Sequence, residues 1–372
     1  MATVKDIMDI MQAWAPLSMA EDFDNSGLMV GWQGAAVTKI AVTLDATMQA
    51  CRQALESGAD MIIAHHPLFF GGGRKRFIDE DDDARAALFC ARHGISLYAA
   101  HTNLDKCVCG VNDALCDVLC WRAEGPLSAG RGRLYKLVVY TPKDHVRAVE
   151  NALFENGAGH IGRYSHCGFS VEGAGSFMPL EGTDPFIGRQ HEISRVEEVR
   201  LESVVSEAAL ECVVRAMKEA HPYEEVAYDV FRLEADRAEK WGLGRIAVLE
   251  KEKTLRQVAL DIKEKLNAPS VRFSGDPDTR ITRMALCGGS AGEYAALAKE
   301  MGADAYLTGE AKHHELLGAQ SAGIPVLIAG HFETEAVIVP VIVQTLQKSL
   351  DALKCNVTVS SLKLYNPAPG AV

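Results

Sequence analysis

The chain has 372 residues, enough for two or three domains. Hydrophobic residues make up 48% and charged residues 24%, which excludes collagen-like, disordered and disulfide-scaffold chains. A formal net charge of -12 argues against a protein that wraps nucleic acid by neutralising phosphates, and an excess of carboxylates suits cation sites. The compact basic run Arg74, Lys75, Arg76 is followed at once by acidic residues, so it forms no basic stripe. No basic segment with an apolar run opens the chain, and no uninterrupted apolar stretch reaches the ~18 residues of a spanning helix. The expected setting is the cytoplasm, with no membrane contact and no nucleic-acid partner. The ten cysteines are scattered. Among them Cys107, Cys109, Cys116 and Cys120 lack zinc-ribbon or zinc-finger spacing. Cys116 and Cys120 lie four apart in a helical pattern and read as one buried face.

In chain order, Thr3 caps a helix over 4–14 that stops before Pro16. Residues 19–32 are turn-rich and read as loop. Apolar strands at 39–45, 60–67 and 95–101 then alternate with helices at 46–58, 83–94 and 112–120. Strand–helix alternation with continuously apolar strands specifies an α/β sheet with parallel pairs. Residues 126–133 are Gly-rich and linker-like. A strand and helix over 135–159, a β-type piece at 166–179, a helix over 206–222 and an alternating strand at 224–234 follow. This β-α-β-β-α-β order is ferredoxin-like. Past 236 the α/β rhythm returns, ending in a long helix. The expected layout is one α/β domain split into 1–128 and 237–372, interrupted by an inserted α+β domain at 129–236.

Three strand ends carry metal-ligand residue types: His65-His66, His101 with Asp105, and His331 with Glu335. The carboxyl ends of strands are where open α/β sheets bind ligands. Neutral imidazole together with carboxylate suits first-row divalent metals, and carboxylates can bridge two ions. His331 and Glu335, four apart at a helix start, can share one face. Glu333 is the rival ligand, or else a carboxylate favoured by the helix N-terminus. The run Gly288-Gly289-Ser290-Ala291-Gly292 after a strand is either an anion-binding turn or a tight structural one.

The stretches 20–31 (AEDFDNSGLMVG), 42–47 (VTLDAT), 62–70 (IIAHHPLFF), 98–105 (YAAHTNLD), 286–292 (LCGGSAG), 304–310 (DAYLTGE) and 330–335 (GHFETE) together resemble the Nif-three-like family, also labelled the GTP cyclohydrolase I type 2 family. The stretches 160–170, 175–179 and 221–230 resemble that family's optional insert, which is similar to the PII and CutA folds. The resemblance implies a two-lobed α/β metal-binding fold. It implies two divalent ions per subunit (Zn, Fe or Mn) held by His65, His66, His101, Asp105, His331 and Glu335. It further implies a toroidal homohexamer with metal sites facing an inner cavity and inserts capping its openings. Asp24, Asn25, Thr308, Glu310 and His314 are expected to position substrate or support ligands. One departure is Phe23, where the family usually has Trp. The implied activity is metal-dependent hydrolysis of a nucleotide or related small molecule through a metal-bridged water. The other reading is a metal-binding regulatory or scaffold ring without turnover, sensing a ligand or partner through its insert.

Overall fold

Strands of Ile, Val and Ala that must be covered on both faces set the architecture. A computed structural model describes residues 2–70, 77–78, 80–132, 134–162, 164–234 and 237–367 of the chain; Arg74, Lys75 and Arg76 lie outside them. The first sheet runs in the order Thr358–Ser361, Lys39–Thr43, Met61–Ala64, Ser96–Ala99, Gly27–Val30. Its neighbours are parallel except Gly27–Val30, which is antiparallel to Ser96–Ala99. Val42 and Ile63 pack on one face with Ile7 and Met11 of the helix Val4–Trp14 and with Ile342 and Leu346 of Ile338–Ala352. Ala41, Ile62 and Leu97 pack on the other face with Cys51 of Met48–Glu56 and Cys90 of Asp82–Arg92. Burial on both faces explains why these strands show no polar alternation.

The second sheet repeats the plan. Its order is Arg272–Phe273, Val326–Ile328, Ala305–Glu310, Arg280–Ser290, Arg245–Thr254, Arg122–Gly125. The pairs joining Arg280–Ser290, Ala305–Glu310 and Val326–Ile328 are parallel and the others antiparallel. Leu286 and Leu307 pack with Leu115 of Val111–Leu119 and Ile262 of Leu255–Lys265. Ala285 and Tyr306 pack against Ala295 and Ala298 of Ala295–Glu300 and Ala319 of His313–Ala322. Between these cores the Arg245 guanidinium, 2% exposed, is bidentate on Asp113 at 2.6 and 2.8 Å and donates to the carbonyls of Gly242, Gly244 and Cys107.

Both sheets belong to one compact unit, Met1–Gly130 with Lys240–Val372; the other is Arg131–Glu239. The second unit has the sheet order Gly168–Phe177, Ser194–Ser206, Leu134–Pro142, Tyr228–Arg232, antiparallel throughout. Its helices Val146–Glu155 and Glu207–Ala220 fall between strands in the β-α-β-β-α-β order. Leu137, Val139, Val149, Leu153, Val213 and Met217 form its core.

Four sequence expectations are corrected. Residues 19–32 are not all loop: Gly27–Val30 is an edge strand, too short to show a period behind a turn-forming stretch. The linker-like 126–133 contains the strand Ser128–Gly132, which shares a two-stranded sheet with Arg237–Leu243. The final helix is followed by the edge strand Thr358–Ser361. Cys120 is exposed, because the helix stops at Leu119 and Cys120 turns left-handed at φ 57°, off the face that buries Cys116. No helix among the described residues is long and apolar enough to cross a membrane.

Candidate metal centre

The carboxyl ends of parallel strands from both sheets converge. Met61–Ala64 ends directly in His65-His66, and Ser96–Ala99 runs into His101 at the start of the short helix Thr102–Lys106, which carries Asp105. Val326–Ile328 leads through Gly330, at φ 102°, into the short helix His331–Glu335. The six side chains meet. His65 Nε2 lies 3.6 Å from Asp105 Oδ1 and 4.0 Å from Glu335 Oε1. Glu335 Oε2 lies 2.9 Å from His66 Nε2 and 3.0 Å from His331 Nε2. The rings of His65 and His101 are 5.3 Å apart, and those of His66 and His331 5.4 Å. Ligand atoms cluster in three overlapping triads, each within 4.8 Å: His65, His66, His101; His66, His331, Glu335; and His65, Asp105, Glu335.

Each first-sheet histidine is held by its outer nitrogen. His65 Nδ1 is 2.8 Å from the Ala100 carbonyl, His66 Nδ1 is 2.8 Å from Asp45 Oδ1, and His101 Nδ1 is 2.8 Å from Asp24 Oδ1. An acceptor on Nδ1 fixes a proton there and points Nε2 inward, where it can offer a lone pair to a metal once it carries no proton, the arrangement that orients metal-binding imidazoles. His65 Nε2 is fully buried and has no hydrogen-bond partner among the described residues. A buried polar atom without a partner is costly, and a cation among these donors would satisfy it. The donor set therefore fits divalent metal.

Electrostatics agree. Burial lowers the pKa of His65 to about 3, so it stays neutral, the form that ligates. Burial also opposes charge on His66, but Asp45 and Glu335 together outweigh it and raise its pKa to about 10. The hydrogen bond to Glu335 raises His331 against the effect of its burial. Burial and the Glu335 charge push Asp105 up, while hydrogen bonds from His331 and His66 hold Glu335 below the usual carboxylate range against its own burial. The centre thus concentrates negative charge that attracts either protons or a metal cation.

Supporting residues sort by what they touch. Asp24 anchors His101 and accepts from Thr102 N and Oγ1, which holds its carboxyl low against burial. Asn25 donates to the Phe69 carbonyl, tying the loop after Met61–Ala64 rather than entering the cluster. Glu310 Oε1 sits 3.5 Å from His331 Nδ1. Thr308 is buried and links Gly289 O to Ala291 N. His314 is exposed on His313–Ala322 and makes no hydrogen bond or ion pair to the six among the described residues. Glu333 accepts from Asn366 and leaves Glu335 as the carboxylate turned inward. The amides of Gly288, Gly289 and Ala291 are taken by Asn112, Thr334 and Thr308, so they are not free for an anion, and Gly288 to Ser290 continue the strand Arg280–Ser290 through an irregularity in its pairing rather than forming a turn. Gly289 has φ 67°, and a Cβ there would collide with Glu335 Oε1. Asp45 is the residue that sequence reasoning passed over. It follows the strand Lys39–Thr43, at the same sheet end as His65 and His101, and that position was the available signal.

Comparison with known proteins gives consistent matches. The profile of the family Duf34/NIF3 (NGG1p interacting factor 3) matches residues 2–367. A Bacillus subtilis protein named GTP cyclohydrolase 1 type 2 homolog is 41% identical over 88% of this chain and 88% of its own length. A solved Bacillus cereus protein related to NIF3 superposes with TM-score 0.85 at 36% identity, over 99% of each chain. A solved Staphylococcus aureus protein gives TM-score 0.78 at 30% identity, covering 100% of this chain and 99% of its own.

Proposed function

The chain belongs to the Duf34/NIF3 family, and from that premise we propose that it is a dinuclear metal-dependent hydrolase acting on a nucleotide or related phosphorylated or heterocyclic small molecule. The observation that carries the reading is the buried, unpartnered Nε2 of His65 among three inward-facing imidazoles and two carboxylates. In this reading His65, His66, His101, Asp105, His331 and Glu335 would hold two divalent ions, the histidines offering neutral nitrogen and Asp105 and Glu335 offering carboxylate oxygen. Such ions supply Lewis acidity toward a phosphoryl or carbonyl oxygen.

The chain's own residues do the rest. Asp45, Asp24 and the Ala100 carbonyl keep three imidazoles aimed inward. Glu310 faces His331 Nδ1 and can hold a proton there. A cavity of about 610 Å³ has His66 and Asp45 in its wall, together with Gln49, Gln53 and Lys363. Its volume suits a nucleotide-sized ligand, and Lys363 offers a cation to an anionic group. Phe70 stands 5.6 Å from the His101 ring and is 65% exposed, presenting a face on which a heterocycle can stack. The name of the Bacillus subtilis relative points to the same reaction class.

The proposal includes a cytoplasmic setting and assembly into a six-membered ring, which light scattering of the purified protein checks. The activity test is incubation of protein reconstituted with Zn, Mn or Fe with a nucleotide library. Metal-dependent product is expected, lost in His66→Ala and Glu335→Ala. Bound metal without turnover across the library would instead support a regulatory or scaffold role.

A further inference from the structure

A second site lies within the unit Arg131–Glu239. A cavity of about 390 Å³ opens between the end of the strand Gly168–Phe177, the loop that follows it, and residues after the helix Glu207–Ala220. Phe177, Phe186, Tyr223 and Tyr140 supply its aromatic lining. The Tyr223 ring is 6.1 Å from Phe177 and 6.2 Å from Phe186, tilted by 58° and 50°. The faces therefore converge rather than stack.

The charge in this cavity has one sign. Glu198, Glu224 and Glu225 line it, and no Lys or Arg among the described residues does. Glu198 decides the matter. It is only 9% exposed, and its Oε1 accepts the Tyr223 hydroxyl at 3.0 Å. Burial and that carboxylate hold the Tyr223 hydroxyl firmly protonated as the donor. Among the described residues Glu198 has no cationic partner, and its Oε2 has no donor. Gly175 leaves room for this carboxylate, since a Cβ there would collide with Oε2. Buried carboxylates are normally paired with a cation. Converging aromatic faces attract a cation through their quadrupoles, and more strongly where water is excluded.

We propose that this cavity is a binding site for a small organic ammonium ion, seated on Phe177, Phe186 and Tyr223 with its charge against Glu198. The cavity volume admits a ligand of drug-fragment size, and the acidic lining disfavours anions. Its lining residues all lie in Arg131–Glu239, and the six metal-ligand residues all lie in the other unit.

The test titrates the full chain with n-butylammonium, tetramethylammonium and neutral n-butanol, followed by calorimetry and ligand-observed NMR. Both cations should saturate, at least about tenfold tighter than n-butanol. Glu198→Gln should weaken cation binding about tenfold and leave n-butanol unchanged. Phe186 is 56% exposed, so Phe186→Leu is compatible with folding and removes a π face while keeping apolar volume. It should weaken the cations selectively, and it decides the matter if Glu198→Gln fails to fold. Equal binding of n-butanol and the cations overturns the proposal, as does unchanged cation affinity in both variants. Absence of saturable binding also overturns it, the result expected if a basic side chain of a second copy fills the cage.

Discussion

The two sheets contribute to one centre in different ways. The first sheet supplies His65, His66 and His101, each pinned through Nδ1 by a carbonyl or a carboxylate at 2.8 Å. The second sheet supplies Glu335, buried, and His331, whose side chain is 36% exposed and whose outer nitrogen faces Glu310, itself 57% exposed, at 3.5 Å. Tight anchoring fixes ligand geometry before a metal arrives, while His331 and its partner Glu310 stay more exposed and less firmly held. One lobe thus acts as template and the other as the open side. Glu335 joins them, since it touches His66 from the first lobe and His331 from the second.

The largest expected effect comes from breaking that join. Glu335→Gln preserves shape and removes the shared charge. Metal affinity, measured by competition with a chelating dye, should fall by more than the ~10–100-fold typical of losing a residue behind a ligand. Next come the anchors of the template. Asp45→Ala and Asp24→Ala should each weaken metal binding by about 10–100-fold, because His66 and His101 lose the groups that orient them. A smaller effect follows from crowding the join through the backbone. Gly289→Ala forces a side chain into a left-handed conformation, costing about 1–2 kcal/mol, and pushes its Cβ toward Glu335. Thermal melting should show that loss together with weakened metal binding; a melt and affinity equal to the parent would refute the close approach. The smallest effect belongs to the open side. Glu310→Gln removes an exposed partner of His331, worth about 0–1 kcal/mol, so metal affinity should change by less than about fivefold. If Glu310→Gln cost as much as Asp45→Ala, the contrast between the lobes would fail.

Much of this centre was legible in the sequence because each ligand sits next to a strand that announces itself by apolar content. His65-His66, His101 and His331 each follow such a run. Asp45 was passed over because a lone Asp after a strand has the same appearance as a helix-initiating turn, and its role depends on a neighbour 21 positions away. The edge strands Gly27–Val30 and Thr358–Ser361 were missed because a strand of four residues shows too little periodicity, and its existence depends on the sheet it joins. Cys120 was misread because helical spacing does not reveal where the helix stops. The aromatic cage around Glu198 was not legible either. Phe177, Phe186 and Tyr223 come from separate segments with no common period, and only the fold brings their rings together.

The central claim is that strand ends from both sheets jointly hold divalent metal. Anomalous diffraction from crystals of the protein as purified, collected across the edges of Mn, Fe and Zn, tests it most directly. Two anomalous peaks are predicted among His65, His66, His101, Asp105, His331 and Glu335. Metal bound elsewhere, or no peak among these six residues in protein supplied with all three ions, would contradict the account.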